Sequence, residues 1–105
     1  MEVEKVEGVE KVKILTKSTH PERRQIELNK LDEIFSHLGD KFPFIIEYRT
    51  GFNFNEASHA WDFAIDPIFR NKADLLKYQD SEEHKEAIRN GSGIEKNKAV
   101  IDYEF

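Results

Sequence analysis

Hydrophobic and polar residues alternate along four stretches of the chain, and a period of two residues is typical of half-buried β-strands. The stretches cover residues 9–17, 44–50, 59–66 and 99–105. In each of them one set of side chains shares a face: Val12, Ile14 and Thr16; Phe44, Ile46 and Tyr48; His59, Trp61, Phe63 and Ile65; Ala99, Ile101, Tyr103 and Phe105. The alternation therefore predicts four strands.

Between the first two strands the apolar residues recur at helical spacing, which predicts a helix over Pro21–Leu38. Thr19 and Glu22 have the spacing of a capping box at its start. Gly39 follows the last apolar position, where a left-handed C-terminal cap is expected. Ile26 lies off the apolar stripe and is either exposed or in contact with another subunit. The stripe consists of Leu28, Leu31, Ile34, Phe35 and Leu38.

Two shorter helices are predicted before the last strand. Asn71 is placed to cap a helix that extends through Lys77 and buries Leu75 or Leu76. Asp80 and Glu83 have the spacing of a second capping box, which opens a helix that ends at Gly91.

The resulting order, β-α-β-β-α-β, predicts an α+β fold of the ferredoxin-like type, with helices on one face of a four-stranded antiparallel sheet. The other sheet face would carry apolar groups from several strands, more than a monomer exposes to water. A second copy of the chain would cover that face in a two-fold symmetric homodimer. We interpret residues 1–8 as an N-terminal lead-in and residues 9–105 as one domain.

The composition narrows the classes of partner and location. The chain has 16 basic and 21 acidic residues, a net charge of −5, which argues against a nucleic acid as its main partner. Its one compact basic cluster, Arg23-Arg24, is interpreted as a solvated helix face. No apolar run approaches the roughly 20 residues of a membrane span. The acidic N-terminus and the absence of cysteine favour a cytoplasmic protein.

The sequence lacks the residues that several kinds of catalysis and metal binding require. Without cysteine there is no thiol nucleophile and no thiolate metal site. The four histidines show none of the paired spacings of metal ligands, so no metal is predicted. The segment Gly91-Ser92-Gly93 follows a helix instead of opening one, unlike a phosphate-binding loop, and no cofactor is predicted.

Two groups of residues are candidates for a site. Tyr78 and His84 could act together, since an imidazole exchanges protons near neutral pH and a phenol can polarise a carbonyl oxygen. Alternatively, His84 is a packed residue with its ring nitrogens satisfied internally. His59, Trp61 and Phe63 could line a pocket for a small aromatic or hydrophobic ligand. Alternatively, they belong to the core or to a dimer interface.

Taken in order, four motifs between Tyr48 and Phe105 resemble the stress-responsive A/B barrel domain family. They are Gly51-Phe52-Asn53, Trp61-Asp62-Phe63-Ala64-Ile65, Leu75-Leu76-Lys77-Tyr78 and Asp80-Ser81-Glu82-Glu83-His84. The resemblance implies that residues 9–105 form one such domain. It also implies a dimer joined through the sheet faces, with a pocket between sheet and helices in each subunit.

The family includes stress-induced plant proteins, bacterial members of unknown role and a plant polyketide cyclase that makes olivetolic acid. That cyclase pairs a tyrosine with a histidine six residues later, the spacing of Tyr78 and His84. It also uses a histidine on its first strand, where this sequence has Val12 between two lysines. The resemblance thus implies two alternatives: a binding protein without turnover, or an enzyme with His84 as base and Tyr78 as oxyanion partner. A cofactor-independent monooxygenase is a third, by fold analogy.

Overall fold

The computed structural model describes residues 5–14, 21–57, 59–94 and 96–105. Four strands form one antiparallel sheet in the order β2-β3-β1-β4. The predicted ferredoxin-like α+β fold is confirmed. Its elements are β1 (Val6–Ile14), α1 (Pro21–Phe35), a 3₁₀-helix (Leu38–Lys41), β2 (Ile45–Phe52), β3 (Phe63–Phe69), α2 (Lys72–Asp80), α3 (Glu82–Asn90) and β4 (Lys96–Glu104).

The hydrophobic core lies between one face of the sheet and the helices. The apolar stripe predicted for α1 supplies much of it, although Ile34 is only partly buried and Leu38 belongs to the 3₁₀-helix. Ile26 is 67% exposed, as its position off the stripe predicts. The largest apolar side chains that are fully buried come from the sheet and from α1: Val6, Val12, Ile14, Leu28, Leu31, Phe63 and Phe69.

Strand β1 begins three residues earlier than predicted. Val6 is buried and pairs with Phe69 of β3 and with Glu104 of β4. Residues 6–8 therefore belong to the sheet, and the predicted lead-in is wrong for them. The predicted end of this strand at residues 15–17 and the Thr19 cap lie outside the described residues.

The predicted faces of the second strand are wrong at one position because of a β-bulge. Ile45 pairs with Phe69 while Glu47 pairs with Ile68, so Ile46 is the extra residue of β2. The bulge reverses the alternation: Ile45 and Tyr48 pack against the core, and Ile46 is exposed.

The third strand lies four residues further along the chain than predicted. It begins at Phe63, and His59 and Trp61 precede it in a turn and an irregular segment. Pro67, which was expected to follow the strand, lies inside it and pairs with Tyr48. The pairing of β3 with β1 is interrupted opposite Pro67, where a proline has no N–H to donate.

Two predicted helix ends also differ. No glycine among the described residues has a positive φ angle, so Gly39 is not a left-handed cap. Gly39 instead lies against Tyr48: a Cβ at this position would be 2.4 Å from the Tyr48 Cγ. The predicted Asp80 cap is wrong because α2 continues through Asp80, and Ser81 caps α3. The Asn71 cap of α2 is confirmed, with its side chain accepting from the Asp74 N–H.

Within the residues that the structure describes, no helix packs on the opposite face of the sheet, which we call the open face. Val9 and Ile101 pair with each other there, and they alternate with residues that point towards the helices. Polar contacts cross the same face: the Tyr103 hydroxyl donates to Glu7, and Arg49 lies 3.3 Å from Asp66. The open face thus combines a few apolar side chains with several charged groups. Among the helices described, none is long and apolar enough to cross a bilayer.

Candidate functional site

The structure brings Tyr78 and His84 together in a cavity of about 240 Å³ between the sheet and the helices α2 and α3. We call it cavity A. The centroids of the two rings are 4.6 Å apart. Ile65, Leu75, Pro67, Ile88 and Val100 supply most of the apolar wall, and Glu10 and Lys98 supply charges. The two residues that lie six positions apart in the sequence are therefore neighbours at one concave surface.

Ser81, at the junction of α2 and α3, holds the two residues in place. Its hydroxyl donates to the backbone carbonyl of Tyr78 at 2.7 Å and accepts from the backbone N–H of His84 at 3.1 Å. Tyr78 is in the last turn of α2, and His84 is in the first turn of α3. The break between the helices thus aims both side chains at the same cavity.

The hydrogen bonding of His84 defines its tautomer. Its Nδ1 lies 3.3 Å from the backbone carbonyl oxygen of Gln79. A carbonyl oxygen can only accept, so Nδ1 carries the hydrogen and the neutral ring keeps its lone pair on Nε2. Burial lowers the pKa of His84 below its usual value, against a smaller opposing effect of the Gln79 hydrogen bond and the Glu10 charge. At neutral pH, Nε2 is therefore a base.

Tyr78 is 5% exposed and packs edge-on against Phe42, with ring centroids 5.2 Å apart. Its hydroxyl lies 3.5 Å from the hydroxyl of Tyr48. Burial raises the pKa of Tyr48 to about 12, and burial together with the neighbouring Tyr48 raises that of Tyr78 even further. Both phenols stay protonated at physiological pH and can donate hydrogen bonds.

Glu10 is a residue of this site that the sequence analysis missed. It lies on the helix-facing side of β1, its side chain is 16% exposed, and its carboxylate is 3.4 Å from the Lys98 ammonium. Its charge acts on His84 and on both tyrosines. One signal could have identified it: Glu10 has the same parity as Val12 and Ile14, which places a carboxylate on the buried face of a strand.

Val12 stands on the first strand near the place where the similar cyclase has a histidine. It is not part of cavity A. It is buried and lines a neighbouring cavity of about 340 Å³ against α1 and α3. Glu10, Ile88 and Lys98 line both cavities and form the boundary between them. The residue of β1 that stands beside the Tyr78–His84 pair is therefore an acid.

The second predicted group of residues is only partly assembled. Trp61 and Phe63 line a separate surface depression of about 360 Å³ together with Phe52. His59 is exposed in a turn and does not line it. This depression has no lining residue in common with cavity A. Within the described ranges, no three histidine or acidic side chains gather as a metal site.

The ferredoxin-like fold and this cavity define the class to which the molecule belongs, a small α+β domain with a pocket between its sheet and helices. The model of the stress responsive A/B barrel domain family matches residues 4–105. The chain belongs to that family. A search of curated proteins found no match.

Solved structures with the same fold include proteins of known and unknown role. A dimeric protein of unknown function from Bacteroides fragilis is 25% identical, with 96% of each chain covered and a TM-score of 0.81. A dimeric ferredoxin-like protein of unknown function from Thermobifida fusca is 15% identical, with 100% of this chain and 94% of that chain covered and a TM-score of 0.76. Hydroxynitrile lyase from Passiflora edulis is 15% identical, with 99% and 95% covered and a TM-score of 0.78.

Proposed function

We propose that this protein binds a small, largely apolar molecule with a carbonyl or hydroxyl group in cavity A. The observation that supports this most directly is the convergence of Tyr78 and His84 on one cavity with otherwise mainly apolar walls. Few polar groups in an apolar concave site are typical of ligand pockets. The cavity volume of about 240 Å³ lies just below the roughly 300–1,000 Å³ of pockets for drug-sized ligands. The ligand is therefore small.

The binding unit in this proposal is a homodimer joined through the open faces. The apolar side chains Val9, Ile68 and Ile101 on the open face support it, since a monomer would leave them in contact with water. The similar structures from Bacteroides fragilis and Thermobifida fusca are described as dimeric. Light scattering at micromolar concentration should give twice the mass of one chain, and the Ile68→Lys variant should give that of one chain.

A cytoplasmic location and the lack of a nucleic-acid partner belong to the same proposal. They are supported by the absence of cysteine and by the net charge of −5. Fractionation of cells that express the protein tests the location, and retention of the protein on a DNA column at low salt would contradict the expected lack of nucleic-acid binding.

A second candidate function, an enzyme that acts on an enolisable carbonyl compound, is favoured by the tautomer of His84. The proton on the carbon next to the carbonyl would pass to Nε2, and the C–H electron pair would move to form an enolate. The Tyr78 hydroxyl would donate to the enolate oxygen. The hydroxynitrile lyase from Passiflora edulis shows that this fold can carry an enzyme.

A thermal-shift screen with small aromatic and aliphatic carbonyl compounds tests the binding site. A ligand at a hundred times its dissociation constant should stabilise the fold by about 2.7 kcal/mol, a shift of several degrees. The shift should be lost in His84→Ala and reduced in Tyr78→Phe, which removes only the hydroxyl. Trp61→Ala is the matched control, because it alters the separate depression and should keep the shift. Loss of the shift in Trp61→Ala alone would contradict the proposal.

Deuterium exchange separates the enzyme from the binding protein. For each ketone that binds, NMR in D₂O should show the hydrogens beside the carbonyl exchanging faster with saturating wild-type protein than in protein-free buffer of the same pH. Exchange of a bound ketone that is no faster than in buffer would leave a binding protein without turnover.

A further inference from the structure

The charges at cavity A do not cancel. Glu10 and Asp102 are acids that line it, while Lys98 is its one basic residue among the described ones and His84 is neutral by burial. Lys98 already pairs with Glu10. Asp102 receives only a 3.5 Å contact from the Gln79 amide and stands at the exposed end of the cavity. Cavity A therefore has a net negative charge, with Glu10 as its most buried acid.

This charge discriminates between ligands of the same shape. An anionic ligand would have to approach Glu10, whose side chain is only 16% exposed, in a partly screened space between sheet and helices. The Lys98 ammonium lies 3.4 Å from Glu10, but its side chain is 39% exposed, so the ion pair neutralises Glu10 only in part and leaves little positive charge for an anionic ligand. A neutral carbonyl compound meets no such repulsion and can accept a hydrogen bond from Tyr78. A cation would be attracted by Glu10.

We propose that Glu10 is the specificity-determining residue of cavity A, and that it admits neutral or cationic small molecules and rejects carboxylates of the same shape. This inference rests on the proposed function of cavity A, because it concerns which ligands that cavity takes. It narrows the ligand to small molecules without a carboxylate, such as neutral carbonyl compounds, amides and amines, and excludes aromatic acids.

Three probes of nearly identical shape test the role of charge: benzoate, benzamide and benzamidinium. Each is titrated into labelled wild-type protein at pH 7.5, and binding is followed by the amide signals of Gly8, Gln79 and Val100, which line cavity A. Benzamide and benzamidinium should bind wild type on the order of tenfold more tightly than benzoate, the effect of one nearby charge in a partly screened site. In Glu10→Gln the difference between benzamide and benzoate should shrink to about threefold or less.

Glu7→Gln is the matched control, since Glu7 is on the same strand but on the open face. It should keep the wild-type ratio. A benzamide-to-benzoate ratio that is the same in Glu10→Gln as in wild type would overturn the inference while leaving the proposed function intact. Tighter binding of benzoate than of benzamide to wild type would do the same. Absence of binding by all three probes would contradict the proposed function, and the inference would fail with it.

A second readout requires no ligand. The pKa of His84 is measured by NMR titration of its ring signals in wild type, Glu10→Gln and Glu7→Gln. If the Glu10 charge acts inside cavity A, Glu10→Gln should lower the pKa of His84 and Glu7→Gln should leave it unchanged. A pKa of His84 that does not move in Glu10→Gln would show that the charge is not felt in the cavity, and would overturn the inference.

Discussion

Replacement of Gly39 by alanine should destabilise the protein through one defined clash. A Cβ at this position would lie 2.4 Å from Cγ, 2.6 Å from Cβ and 2.8 Å from Cδ1 of Tyr48. These atoms are close to the backbone of β2, so a change of rotamer does not remove the overlap and the strand or the 3₁₀-helix must move. Insertion of a methyl group into such a site costs about 1–3 kcal/mol. For a domain of this size that corresponds to a fall in Tm of about 4–12 °C.

Gly51→Ala is the matched control, because Gly51 has no neighbour within 4 Å of an added Cβ and no positive φ angle. It should be neutral or stabilising by up to about 1 kcal/mol, since alanine restricts the unfolded chain. Urea unfolding followed by Trp61 fluorescence gives the free energy of unfolding of each variant. The two substitutions should therefore differ in sign or by more than 1 kcal/mol.

The Gly39→Asn variant distinguishes between two reasons for a glycine at this position: the contact with Tyr48 and the left-handed cap that the sequence predicts. A left-handed position tolerates asparagine better than alanine. A position crowded by Tyr48 should tolerate the larger asparagine no better than alanine. If Gly39→Ala were as stable as Gly51→Ala, or if Gly39→Asn were clearly more stable than Gly39→Ala, the packing of Gly39 against Tyr48 would be refuted.

Three further predictions concern the core and the site. Asp62→Ala should lower the free energy of unfolding, measured in urea, by about 2–3 kcal/mol. The reason is that Asp62 is 1% exposed and accepts hydrogen bonds from the Ile14 N–H at 2.7 Å and from Arg24 at 3.0 Å. An unchanged midpoint of urea unfolding would contradict this. Ser81→Ala should cost about 1 kcal/mol and weaken ligand binding, while Ser81→Thr, which keeps a hydroxyl that can both donate and accept, should recover the stability; equal stability of all three proteins would show that the cap does not matter. Burial lowers the pKa of His84, so this histidine binds its proton more tightly in the unfolded chain than in the folded protein, and the free energy of unfolding should fall as the pH drops below about 6.5. Urea unfolding at several pH values should show a smaller fall in the His84→Gln variant. An equal fall in the two proteins would refute this.

Periodic elements could be predicted from the sequence because their pattern is local. The apolar stripe of α1 and the alternation around Val12 each reflect burial of one face, and the Asn71 cap needs only its own residue and the next turn. The bulge at Ile46 could not be predicted in the same way. It depends on pairing with Phe69 and Ile68 of another strand, and the residues around it alternate just as well without it.

Contacts between residues far apart in the chain were the main source of error. Arg24 was interpreted as part of a solvated helix face, and it pairs with the buried carboxylate of Asp62. No local pattern relates these two residues. The third strand was predicted to stop at residue 66, before Pro67. Pro67 fits inside β3 because the pairing of β3 with β1 is interrupted opposite it, and this interruption depends on both strands.

The candidate site also consists of a part that could be predicted from the sequence and a part that could not. Tyr78 and His84 are six residues apart, and the short link through Ser81 brings them together, so their spacing was informative. Glu10, Tyr48 and Lys98 come from three different strands, and only the fold places them around that pair. The parity of Glu10 with Val12 and Ile14 predicts a carboxylate on the buried face of β1, but its position beside Tyr78 and His84 could not be predicted from the sequence.

The most direct test of the ligand site is a two-dimensional NMR titration of the labelled protein with a library of small neutral carbonyl compounds. If cavity A binds the ligand, the signals that shift should belong to the backbone of Gly8, Gln79 and Val100 and to the ring of His84, and the shifts should saturate. Shifts confined to Gly51, Asn53 and Trp61, which line the separate depression, would contradict this account of the site.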